Sequence, residues 1–166
     1  MSIELYLIRH GLAGEHGSYA NDGDRPLTEE GHRKTQQVAE RLRELELQTD
    51  LILTSPLVRA RQTAEILYKA GFSQQLEESS HLAPTGKFHE WLLWFDQWRQ
   101  SSGTRLALLG HEPKLSTWAE QLVWGSVKHH LILKKAGVIG LLLPQSGSPV
   151  GASELFWFTP PRFLLK

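Results

Sequence analysis

The sequence predicts an α/β sandwich of three layers, with helices on both faces of a mainly parallel central sheet. Three observations carry this. Short apolar runs alternate with longer amphipathic ones, the pattern of strands exchanged with helices. The turn-forming residues fall between the runs rather than inside them. The chain is 166 residues long, which favours a single domain spanning 1–166.

Ile3 to Ile8 reads as a buried strand, and Gly11 to Pro26 as a loop punctuated by Gly14, Gly17 and Gly23. Thr28 is placed to cap a helix running to about Leu47, with Val38, Leu42 and Leu45 on one face. Gly31 should weaken that helix by up to about 1 kcal/mol relative to Ala. Leu51 to Leu53 is a second strand. Ser55-Pro56 reads as the cap and first residue of a helix reaching Lys69 and stopping at Gly71. Phe72 to Gly86 is expected to be irregular. A third helix spans about Lys87 to Gln100, and Phe88, Trp91, Phe95 and Trp98 form one stripe for the core. Trp94 points off that stripe. Leu106 to Leu109 is a third strand, Pro113 to Trp124 a fourth helix closed by Gly125, and Val138–Leu143 and Glu154–Phe158 two further strands.

Composition excludes several classes of function. With no Cys there is no disulfide framework, Cys-based zinc site or thiol nucleophile. Eighteen basic and eighteen acidic residues give no basic excess for nucleic acid or an anionic membrane. No run approaches the roughly 20 apolar residues of a membrane span. No targeting signal is recognised, which makes the cytoplasm the expected compartment. The remaining histidines lack metal-ligand spacing, and Gly11, Gly14 and Gly17 fit neither the dinucleotide fingerprint nor the P-loop.

The chemistry-bearing residues fall at equivalent topological places. Arg9-His10-Gly11 follows the first strand, Arg59 lies one turn into the helix after the second, and Gly110-His111-Glu112-Pro113 follows the third. In an open α/β sheet the carboxyl ends of the strands bring such loops together. Guanidinium groups bind a phosphoryl group bidentately, one neutral imidazole can attack phosphorus, and a second can donate to an equatorial oxygen. Taken singly, each piece reads more readily as structural: a satisfied strand-end pair, a solvated helix residue, a cap.

Together these motifs resemble the histidine phosphatase superfamily, with its phosphoglycerate-mutase-like fold. Leu7-Ile8-Arg9-His10-Gly11 matches the signature whose histidine is the nucleophile, here His10. Thr54-Ser55-Pro56-Leu57-Val58-Arg59-Ala60-Arg61-Gln62-Thr63-Ala64 is similar to the second motif, which implies phosphate binding by Arg59. Gly110-His111-Glu112-Pro113 resembles the third, which implies the second catalytic histidine at His111. Arg25-Pro26-Leu27-Thr28 and Leu82-Ala83-Pro84-Thr85-Gly86 resemble segments of the compact SixA-type phosphohistidine phosphatases, with Arg25 as an auxiliary phosphate contact.

The resemblance implies a metal-independent and cofactor-free protein phosphohistidine phosphatase, with catalytic residues Arg9, His10, Arg59 and His111 and a close backbone approach at Gly11. Its implied substrate partner is a phosphorylated histidine phosphotransfer domain, in signal transduction. Two alternatives stay open: a phosphomonoesterase for a small metabolite, and a non-catalytic phosphate-binding module. No carboxylic acid can be assigned to protonate a leaving oxygen. Glu77, Glu78, Glu112 and His81 lie near the motifs and read first as surface groups. An imidazole leaves phosphorus more easily than an alkoxide, so a site without such an acid suits an N–P bond. Oligomeric state is not legible, and a monomer would suffice.

Overall fold

In a computed structural model, residues 2–166 are described. One six-stranded sheet has the order β3-β2-β4-β1-β5-β6. Its strands are β1 (Ser2–Arg9), β2 (Leu51–Thr54), β3 (Leu76–Glu78), β4 (Arg105–Gly110), β5 (Val138–Pro144) and β6 (Glu154–Thr159). β1, β2, β3 and β4 run parallel, while β5 and β6 are antiparallel to their neighbours. The helices are α1 (Glu29–Glu44), α2 (Val58–Lys69), α3 (Phe88–Gln100) and α4 (Lys114–Trp124).

Side-chain alternation along β1 assigns the layers. Ile3, Leu5 and Leu7 face one core with Trp91 and Phe95 of α3 and Leu115, Trp118 and Leu122 of α4. Tyr6 and Ile8 face the other with Val38, Ala39 and Leu42 of α1 and Ala60, Ala64 and Leu67 of α2. Burying both faces explains why β1 is apolar at consecutive positions. The predicted three-layer sandwich with its mainly parallel sheet is the observed one.

Several local expectations change. Phe72 to Gly86 is not wholly irregular: it holds β3, a three-residue strand at the sheet edge. α1 stops at Glu44, before Leu47, and Leu45 is exposed. Ser55 is not the cap of α2, because Leu57 occupies that position without a side-chain cap bond. On α3 only Trp91 and Phe95 are fully buried, while Phe88 and Trp98 pack at the margin of the core. Trp94 stacks on Trp98 with centroids 6.1 Å apart.

Gly31 reverses its expected effect. Thr28 caps α1 by accepting from the Gly31 N–H at 2.9 Å, and the backbone of Leu12 crosses directly over that first turn. A Cβ at position 31 would collide with the Leu12 carbonyl. The helix-propensity gain of Ala, about 1 kcal/mol, is therefore outweighed by overpacking against backbone, typically about 1–3 kcal/mol. Gly31→Ala is expected to lower Tm in a thermal melt, and an unchanged or raised Tm would remove this account.

Candidate active site

The carboxyl ends of β1, β2 and β4 deliver the three motifs to one place. His10 and His111 lie 5.2 Å apart between ring centroids, both at most 5% exposed. The His10 N–H of the backbone donates to the Gly110 carbonyl at 3.1 Å, tying the first motif to the third. The Gly11 N–H donates to Thr63 Oγ1 at 3.0 Å, and that hydroxyl donates to the Arg59 carbonyl at 2.8 Å, tying it to the second. A Cβ on Gly11 would meet the Thr35 hydroxyl where the chain passes α1, so any side chain here forces that hydroxyl to move.

His10 Nδ1 sits 2.7 Å from the Gly11 carbonyl. A carbonyl only accepts, so Nδ1 carries the proton and Nε2 keeps its lone pair. Burial lowers the His10 pKa to about 3, against the raising effect of the Gly11 bond and with help from His111, Arg59 and Arg9. Burial and then the Arg59 charge lower His111 to about 3 as well. Both imidazoles are neutral at pH 7. His111 Nε2 lies 2.7 Å from Ser55 Oγ, and its Nδ1 has no partner.

The guanidinium groups are oriented from behind. Arg9 Nη1 donates to the Leu133 carbonyl at 3.0 Å. Arg59 Nη1 and Nη2 donate to the Asp22 carbonyl and Asp22 Oδ2, each at 3.0 Å. Arg25 Nε donates to Asp22 Oδ1 at 3.0 Å, and its Nη1 to the Gly14 carbonyl at 2.8 Å. Among the described residues, the buried side-chain polar atoms without a partner include Arg9 Nε, Arg59 Nε and His111 Nδ1. Buried polar atoms are rarely left unpaired in folded proteins, and these three lie in one site.

Each residue that the sequence singled out as phosphate-directed is in this neighbourhood. Of the candidate acids, Glu112 lies beside Arg9 and favours its charge, but its oxygens are engaged. Glu112 is occupied by the Ser116 N–H at 2.9 Å, the Leu133 N–H at 2.8 Å and the Ser116 hydroxyl. Glu78 pairs with Arg61 at 3.4 Å, His81 lies 4.0 Å from Glu90, and Glu77 lines a groove beside Trp94 and Trp98. Two residues escaped sequence reasoning. Ser55 contacts His111 from a position that reads as a helix cap. Asp22 lies in a polar loop 37 residues from Arg59, with only the neighbouring Arg25 as a hint. Partial burial pushes the Asp22 carboxyl up, but bonding to Arg25 and the charges of Arg59 and Arg25 outweigh this and hold it below the usual range.

Two neutral histidines and a set of oriented guanidinium groups thus lie together at the carboxyl edge of this sheet. Residues 5–105 match the histidine phosphatase superfamily (branch 1), and the chain belongs to that family. It is 47% identical to an uncharacterized protein of Picosynechococcus sp., over 98% of this chain and 99% of the relative. Its fold superposes on a protein histidine phosphatase SixA complexed with tungstate, with TM-score 0.83, 21% identity and coverage of 98% and 99% of the two chains. It also superposes on a phosphoserine phosphatase variant of Entamoeba histolytica in complex with phosphoserine, with TM-score 0.70, 18% identity and coverage of 98% and 100%. No helix among the described residues is long and apolar enough to cross a membrane.

Proposed function

We propose that this protein is a phosphohistidine phosphatase acting on a phosphorylated protein, with His10 as nucleophile. The observation that carries the reading is the His10 tautomer: Nδ1 is held by the Gly11 carbonyl, so Nε2 is a permanent lone pair beside unpartnered donors. Arg9, Arg59 and His111 bind the equatorial oxygens, and Arg25 supports Arg59 through their shared Asp22 carboxylate. Each charge-assisted hydrogen bond contributes about 1.5–3 kcal/mol.

His10 Nε2 attacks phosphorus in line, forming one N–P bond as the substrate's N–P bond breaks. The departing electron pair stays on the substrate imidazole, which leaves neutral if its other nitrogen is protonated. Phosphorylated His10 then carries a proton on Nδ1 and phosphorus on Nε2, a cationic imidazole poised to leave. Water attacks phosphorus, the bond electrons return to Nε2, and the water proton passes to phosphate or solvent. No step needs a protein carboxylic acid, which fits the engagement of Glu78 and Glu112 in other contacts. Asp22, with its proton affinity depressed, is a poor proton donor at neutral pH.

The test is phosphate release from a phosphorylated histidine phosphotransfer domain, with chelator, beside phosphoserine and a sugar phosphate. Preference for phosphohistidine supports the reading. Turnover of small esters alone moves the function to a phosphomonoesterase, and phosphate binding without turnover to a binding module. The pH dependence of kcat/KM carries a further expectation. Imidazoles with pKa about 3 lose the neutral form only near that pH, so no acid limb from His10 or His111 should fall between about pH 5 and 8. A limb near pH 6.5 that disappears in His111→Asn would overturn the assignment of a neutral His111.

A further inference from the structure

Beside Arg9, a groove of about 370 Å³ opens between α1 and the segment leading into β5. Its floor includes Leu12 and Pro161, and its banks carry Lys34 on one side and Lys134 and Lys135 on the other. Lys34 forms a surface pair with Glu30 at 2.9 Å. Among the described residues, no carboxylate pairs with Lys134 or Lys135. The Lys135 ammonium is partly desolvated and close enough to Arg9 and Arg25 for both to lower its pKa further. The backbone next to it is tied to the first motif, because the Ala136 N–H donates to the carbonyls of Arg9 and His10 at 3.0 and 3.1 Å.

A cationic groove in a chain of zero formal net charge is a local device. The phosphoryl group is already met by Arg9, Arg59 and His111, so these lysines answer a different anion. Cations on both banks and an apolar floor match a polypeptide that presents acidic side chains beside apolar ones. A second phosphate on a small metabolite would leave the Leu12–Pro161 floor uncovered. Ile132, 66% exposed in the same segment, offers the same partner a further apolar contact.

We propose that this groove is a docking subsite for an acidic segment of the phosphoprotein substrate flanking its phosphorylated side chain. The proposal rests on the protein-phosphatase reading above. Charges at the rim of an interface act mainly on association and its salt dependence. Lys135 stands too near Arg9 to report on docking alone, so the informative variant is the double substitution Lys34→Glu/Lys134→Glu.

The experiment measures kcat/KM for wild type and this variant on three substrates. They are a phosphorylated histidine phosphotransfer domain with acidic residues beside its phosphohistidine, free phosphohistidine, and a small sugar bisphosphate. The ratio of phosphoprotein to free phosphohistidine turnover should fall about tenfold in the variant, chiefly through KM. Added sodium chloride should lower the wild-type ratio and barely move that of the variant. An unchanged ratio in a wild type active on the phosphoprotein overturns the groove alone. Selective loss of bisphosphate turnover overturns it in favour of a second phosphate site. A wild type inactive on the phosphoprotein removes the protein-phosphatase reading and the docking proposal with it.

Discussion

His10→Ala is expected to lose phosphatase activity by about 10⁴-fold or more, the scale seen when a covalent nucleophile is removed. The wild type should also take up one acid-labile phosphoryl group per chain from substrate, and the variant none. The size of the effect follows from geometry. His111 lacks the backbone bond that fixes the tautomer of His10: its Nε2 is engaged with Ser55 and its Nδ1 has no partner. Truncation at a site whose neighbours are bound to backbone should leave the fold in place, so the melt is the control. A His10→Ala protein that folds and still turns over substrate would end the assignment of His10.

Glu120→Ala is expected to give the largest loss of stability of any single carboxylate change, about 3 kcal/mol in denaturant melts. Glu120 is 1% exposed on α4 and accepts from the backbone N–H groups of Lys128, His129, His130 and Leu131 at 2.6 to 3.0 Å. Burial pushes its carboxyl up, but the four N–H bonds overcome this and bring it down to about 2. The sign follows: the folded pKa lies below the ordinary 4.5, so this stabilisation is complete above about pH 4.5 and lost as pH falls toward 2. The same segment continues to Leu133, whose carbonyl orients Arg9. Activity of Glu120→Ala should therefore fall as well, with KM rising. A variant as stable as wild type would show that water replaces the carboxylate at no cost.

The readable parts of this protein were those written locally. An arginine-histidine-glycine run ending a buried strand announces both an element and a chemistry, and the same is true of the third motif. β3 was hidden because three residues at a sheet edge carry no periodicity, and its pairing with β2 is a property of the sheet. Ser55 departs from its predicted cap position for a related reason. Ser-Pro is a strong local cap signal, but a histidine 56 residues away competes for the hydroxyl. Asp22 and Glu120 gave no warning, because their partners lie on other elements or on bare backbone. Gly31 shows the limit most plainly, since propensity describes a helix alone and Leu12 is what crosses it.

The place of β1 in the sheet has a consequence for biosynthesis. β1 is made first, yet its two neighbours are β4 and β5, which begin at residues 105 and 138. This largely buried strand must therefore wait, unpaired, while about a hundred further residues emerge, an interval of several seconds at common elongation rates of about 5–20 residues per second. During that time the nascent chain exposes a ready template for aggregation, and the sheet centre cannot close until β4 and β5 have left the ribosome.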